Sequence, residues 1–261
     1  MKIIDIHTHI YPDEIAQKAT DSVKQFYQIG GADMDGTVSM LRKRGNEAGI
    51  SQFVVLPVAL RPDRVRSINH YLVSQRDLYP EFIGFGTIHA AMEDMDSEVR
   101  RIMELGLKGI KMHPDSQRFH IDDSRLYPLY EEIQGKLPVM LHMGDHRYDY
   151  SHPVKLRKVL DQFPRLQVIA AHFGGYSMYD TAYELLKDTD CILDVSSAMM
   201  FMEEGKPEWF INHYGAERIA FGTDYPMWDP VQEVQRFMQL KLTPEQLEQI
   251  AWKTAHRFLK L

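Results

Sequence analysis

The sequence predicts an α/β fold, a (β/α)8 TIM barrel built as a single domain over residues 1–261. Three observations predict it. Short apolar or β-branched runs recur along the chain, stretches with helical spacing separate most of them, and polar residues gather where the runs end. Near-continuous apolar runs suit strands covered on both faces, as in a parallel sheet. Strand–helix alternation sustained over a chain of this length is the pattern of the barrel.

The first run is residues 2–7, leading into His7-Thr8-His9. Side chains alternate along a strand, so Asp5, His7 and His9 share one face. Further runs fall at 53–56, 82–86, 109–112, 138–142, 167–172, 191–195 and 219–222, which makes eight. Between them, 34–48, 65–78, 96–105, 126–133, 154–163 and 178–186 carry apolar residues at helical spacing. Val99, Ile102, Met103 and Leu105 give an example of such a stripe. Gly106, Gly135, Pro138, Pro164 and Gly215 punctuate the turns. Residues 10–33 exceed the usual interval and read as an insertion over the barrel mouth. The tail reads as a packing helix: Thr243 caps it, Pro244 suits its first position, and Gln246 completes a capping box. The run Met199-Met200-Phe201-Met202 reads as core or subunit contact rather than as a pocket wall.

The chain has 261 residues, 44% of them hydrophobic, enough for one large core. It has no apolar stretch long enough for a membrane span and no basic segment followed by an apolar run at its start, so a cytoplasmic protein is expected. The lone Cys191 rules out an internal disulfide and sits in an apolar run, as a buried thiol would. A net charge of −7, without a basic stripe carrying aromatics, argues against a nucleic-acid partner.

In a barrel of this kind the active site lies at the carboxyl ends of the strands. His7 and His9 end the first run, His89 follows the third, and Lys111 and His113 end the fourth. His142 ends the fifth and His172 the sixth. Asp194, Ser196 and Ser197 follow the seventh, and Asp224 the eighth. Six of the twelve histidines thus fall on one rim, which suggests a metal site, because buried polar groups are costly unless paired or ligating. His70, His120, His152, His213 and His256 fall on helices or away from that rim and read as structural or surface residues.

Taken together, His7-Thr8-His9, His142, Ala171-His172-Phe173-Gly174-Gly175 and Phe221-Gly222-Thr223-Asp224-Tyr225-Pro226 resemble the amidohydrolase superfamily. More narrowly they resemble the group that includes aminocarboxymuconate-semialdehyde decarboxylase. The resemblance spans the chain and implies a distorted TIM barrel with one divalent metal, usually zinc with manganese possible, at its mouth. It implies His7, His9, His142 and Asp224 as ligands and His172 as the acid–base residue, with Asp224 able to double as proton acceptor. An open coordination position is the mark of a catalytic site. Asp5 would support the ligands from behind. Lys111 has three readings: with His113 it faces the substrate, which is favoured; it is carboxylated and bridges two metals; or it forms an ion pair with Asp5 or Asp194. In the loop after His142, Arg147 and Tyr148 are candidates for holding a substrate carboxylate or ring.

The favoured activity is metal-dependent hydrolysis of an ester, lactone or amide of a small, carboxylated metabolite. Its ground is that the chain is compact, shorter than expected of an aromatic-acid decarboxylase. The alternative is a non-oxidative decarboxylase of a small unsaturated or aromatic acid using the same residues. A non-catalytic binding barrel is the third reading, disfavoured because every expected ligand position is filled. The expected partner is a small-molecule substrate, with a homodimer as the default assembly.

Overall fold

The computed structural model describes residues 1–261, which form two compact units: residues 1–55 with 195–261, and residues 56–194. Strands and helices are numbered in chain order.

In the first unit, β1 (Ile4–Thr8) is buried along its whole length. It pairs in parallel with β2 (Gln52–Val55), Ile4 opposite Gln52 and Asp5 opposite Phe53, with a register irregularity before Thr8. On its other side, the Ile6 amide donates to Phe221 O (2.9 Å) and the His9 amide to Tyr225 O (2.8 Å). β1 is therefore held on both edges, with β9 (Ile219–Ala220) leading into the second flank. Between β1 and β2 lie α1 (Asp13–Tyr27) and α2 (Val38–Glu47). Only Ala16 and Thr20 of α1 are buried, and its apolar stripe of Ile15, Ala19, Val23 and Phe26 stays partly or wholly exposed. The stretch read as an insertion thus holds a helix whose spacing is present in the sequence. Gly45 of α2 lies against the Phe53 ring, where a Cβ would come within 2.2 Å of Cζ.

The remaining helices of this unit are α9 (Lys206–Tyr214), α10 (Pro230–Met238), α11 (Pro244–Glu248) and α12 (Thr254–Leu259). Asp229 caps α10 by accepting from the Val231 amide, and Pro230 takes the first helical position. The Arg44 guanidinium forks the same carboxylate from α2, with Nε to Oδ1 at 3.0 Å and Nη2 to Oδ2 at 2.5 Å. The Thr243–Gln246 capping box is present as expected. Between α11 and α12 the tail widens into a π turn over Gln249–Lys253, where Ile250 O accepts from the Phe221 amide at 3.0 Å.

The second unit begins with α3 (Val65–Leu78) and β3 (Phe82–Gly84), then β4 (Gly86–Thr87) and α4 (Met95–Glu104). The third run of the sequence is thus two short strands broken at Phe85. It continues with β5 (Ile110–Met112), α5 (Pro114–Gln117), α6 (Tyr127–Ile133), β6 (Val139–Leu141), α7 (Pro153–Gln162), β7 (Val168–Ala170), α8 (Tyr179–Leu186) and β8 (Ile192–Asp194). β4 to β8 pair in sequence order and all in parallel: Gly86 with Ile110, Lys111 with Met140, Met140 with Ile169, and Ile169 with Ile192. Parallel neighbours joined through helices bring every strand end to the same edge. Leu129, Ile133, Leu156, Val159, Ala182 and Leu186 bury the inner faces of those helices. Glu98 of α4, fully buried, is satisfied by a fork from Arg101 and by Asn69 Nδ2 (2.7 Å), while Asn69 Oδ1 accepts from the Thr87 amide. No helix is long and apolar enough to cross a membrane.

Candidate metal centre and proton-transfer residues

In the first unit the site is built on β1. The Asp5 carboxylate is buried and acts as a bracket. Its Oδ1 accepts from the His7 amide and the Thr223 amide (both 3.0 Å), and its Oδ2 from the Thr223 hydroxyl (2.6 Å). Two chain segments distant in sequence are thereby tied at the point where His7 and Asp224 emerge. The Asp224 amide adds a bond to His7 O at 2.8 Å. Gly222 permits this approach, since a Cβ there would lie 2.9 Å from the His7 Cβ and 3.3 Å from the Ser196 Cβ.

His7 Nε2 and His9 Nε2 each lie 3.4 Å from Asp224 Oδ1, and the two rings meet edge-on at 5.2 Å. Two donors about 2.1 Å from an ion at the tetrahedral angle are themselves about 3.4 Å apart, so the spacing suits a divalent metal. His7 Nδ1 meets the Ser196 hydroxyl at 3.0 Å, which directs Nε2 towards the carboxylate. Nitrogen, nitrogen and carboxylate oxygen form a donor set that fits zinc or manganese.

Of the expected ligands, His7, His9 and Asp224 are thus brought together. The fourth, His142, belongs to the other unit, where it follows β6. Its Nδ1 lies 3.0 Å from His172 Nε2, and its Nε2 lies 3.6 Å from Asp115 Oδ2. His113 stacks flat on its ring at 4.1 Å. His113, expected at the substrate, also caps α5 through Nδ1, which accepts from the Ser116 amide. His113, Asp115 and His142 form a second group with converging donor atoms. Lys111, expected beside His113, is buried on β5 with its chain in register between Thr87 and Met140.

His172 follows β7 in the left-handed region (φ 59°), as does Phe173 (φ 52°). The His172 amide donates to Asp194 Oδ1 at 3.1 Å, and its Nδ1 lies 4.0 Å from the same oxygen. One nitrogen therefore faces a carboxylate and the other faces His142.

Asp115 was not among the residues singled out from the sequence, although an acid two positions beyond His113 was a signal for it. It is buried, its Oδ2 accepts from the Ser151 hydroxyl at 2.6 Å, and its Oδ1 has no partner. Burial pushes its carboxyl up to about 7; the Ser151 hydrogen bond opposes this and the Asp145 charge adds to it. Ser151 Oγ also receives the Gly144 and Asp145 amides, so Asp115 anchors the loop after β6. In that loop Arg147, expected to fork a substrate carboxylate, forks Asp145 instead, with Nε to Oδ1 at 2.9 Å and Nη2 to Oδ2 at 2.6 Å. Its guanidinium lies 5.2 Å from the Tyr148 ring. In the first unit, Phe201 is 48% exposed and meets Trp228 edge-on at 5.7 Å, whereas Met199 is buried. The apolar run is therefore core at one residue and surface at another.

A family profile described as Amidohydrolase matches residues 4–261. Among curated proteins, the chain is 22% identical over 296 residues to 2-amino-3-carboxymuconate-6-semialdehyde decarboxylase of Dictyostelium discoideum, covering 85% of this chain and 81% of that one. Among solved structures, an uncharacterized TIM-barrel protein from Bordetella bronchiseptica aligns over 100% of this chain and 99% of its own, at 23% identity and a TM-score of 0.84. A dihydroxybenzoic acid decarboxylase from Polaromonas sp. JS666, with bound manganese and 2-nitroresorcinol, aligns over 100% and 97% at 18% identity and a TM-score of 0.77. These likenesses establish the TIM-barrel fold that the strand–helix alternation predicts.

Proposed function

The chain belongs to the amidohydrolase family, and from that premise we propose that it is a metal-dependent, non-oxidative decarboxylase of a small unsaturated or aromatic carboxylic acid. The observation that carries this reading is the decarboxylase relative that matches most of both chains. A solved neighbour that is also a decarboxylase agrees with it. Hydrolysis, favoured in the sequence by the compactness of the chain, has family membership behind it and a dihydroorotase that matches 48% of this chain.

His7, His9 and Asp224 would hold the ion, zinc or manganese. When bound, it would polarise a substrate oxygen as a Lewis acid. The rest falls to the chain's own groups. Loss of carbon dioxide leaves an electron pair on the ring or alkene carbon, and that carbon must take a proton. Within the second unit His172 is the group that would deliver it, from Nε2, which lies 3.0 Å from His142 Nδ1. Asp194, beside the His172 amide and Nδ1, fixes the ring so that Nε2 faces His142.

The test is carbon dioxide release from hydroxybenzoates and unsaturated amino-dicarboxylates, run beside lactones and amides, with metal content measured on the same protein. Carbon dioxide release in deuterium oxide, with one deuterium at the carbon that bore the carboxylate, is the expected result. Lactone or amide cleavage without carbon dioxide from any acid would replace this reading with the hydrolase.

A further inference from the structure

We propose that Ser197 and Trp228 form a positioning relay that selects which oxygen of Asp224 faces His7 and His9. The inference rests on the reading of those three residues as metal ligands and extends it to the groups behind them. The indole Nε1 of Trp228 lies 2.7 Å from Ser197 Oγ, and Ser197 Oγ lies 2.5 Å from Asp224 Oδ2. An indole N–H only donates, so the serine oxygen must accept from it. The single hydroxyl proton is then committed to Asp224 Oδ2. That holds Oδ2 away from the imidazoles and leaves Oδ1 as the oxygen 3.4 Å from both Nε2 atoms.

The backbone explains how two adjacent serines serve one cluster. Along an extended strand, neighbouring side chains point to opposite faces. Ser197 is in the left-handed region at φ 47°, which breaks that alternation just past Ser196. Ser196 Oγ thus reaches His7 Nδ1 at 3.0 Å while Ser197 Oγ reaches Asp224. Both serines are buried, so neither hydroxyl exchanges freely with solvent. Phe201, edge-on to Trp228, braces the indole at the far end of the relay.

The experiment is a cobalt(II) titration of the metal-free protein, read by the visible d–d absorption, with thermal unfolding measured in parallel. The variants are Ser197→Gly and Trp228→Phe. Glycine deletes the hydroxyl and suits a positive φ, so backbone relief offsets part of the loss of the two hydrogen bonds. Phenylalanine keeps a six-membered ring against Phe201 and removes the N–H with the rest of the five-membered ring. Partners behind metal ligands are typically worth ten- to a hundredfold in affinity. Ser197→Gly should therefore weaken cobalt binding by about tenfold or more and alter the absorption, while unfolding remains a single cooperative transition. Trp228→Phe should move both signals the same way by less. Parent-like binding and absorption in both variants would overturn the relay and leave the metal site standing. A parent protein that takes up no cobalt would overturn the metal site itself, and the relay with it.

Discussion

Glu233 of α10 offers a direct test of how burial sets charge in this protein. Its side chain is 1% exposed, Oε1 accepts from Arg236 Nε at 3.3 Å, and Oε2 has no hydrogen-bond partner. Burial pushes its carboxyl up from 4.5 to about 7; Arg236 pulls the other way, and the charges of Asp224 and Asp229 add to the rise. In the unfolded chain the group loses its proton near 4.5. Between there and about 7 the folded state therefore binds more protons than the unfolded state, and stability falls as pH rises. At about 1.4 kcal/mol per pH decade the full loss is about 3 kcal/mol, of which about 2 to 3 kcal/mol falls between pH 5 and pH 8. Glu233→Gln removes the titration and keeps the shape. The assay is urea unfolding of the metal-free parent and variant at several pH values from 5 to 8. The variant should gain about 2 to 3 kcal/mol on the parent across that interval, whatever the constant cost of altering the contact with Arg236. A difference between the two proteins that changes by less than about 0.5 kcal/mol from pH 5 to pH 8 would refute the reasoning.

Two further outcomes are expected. Gly222→Ala places a methyl group 2.9 Å from the His7 Cβ, an atom that no rotamer change can move. It should cost about 1 to 3 kcal/mol in unfolding experiments and lower metal content, and a parent-like variant on both counts would contradict the close approach. His172→Asn should keep its metal, measured by elemental analysis, while turnover drops by about a hundredfold or more; full activity would remove His172 from proton transfer.

Much of the barrel was legible in the sequence because the apolar runs are nearly continuous, and that pattern belongs to parallel strands buried on both faces. The strands themselves are shorter than the runs, two or three residues in β4 to β9, although flanking run residues such as Gly109, Pro138 and Gln167 still accept bonds from the neighbouring strand. α1 escaped notice although Ile15, Ala19, Val23 and Phe26 are spaced as in a helix, because no apolar run separates it from α2. α10 carried its start signal in Asp229-Pro230, but its buried face includes a glutamate, Glu233, which periodicity counts as polar. At the candidate site, alternation along β1 was enough to pair His7 with His9. Asp115, and the commitment of Arg147 to Asp145, depend on a loop folding back on itself, which side-chain spacing does not encode.

His172, Ser197 and Asp224 all hold left-handed backbone angles, at φ 59°, 47° and 59°. Such a conformation costs an ordinary side chain about 1 to 2 kcal/mol, less for aspartate, and costs glycine nothing. Glycine at these positions would relieve the backbone but delete the side chains that meet His142, Trp228 and the two imidazoles. An engineer raising the melting temperature should hold all three fixed and look for stability elsewhere, because here the backbone's own preference and the chemistry point in opposite directions.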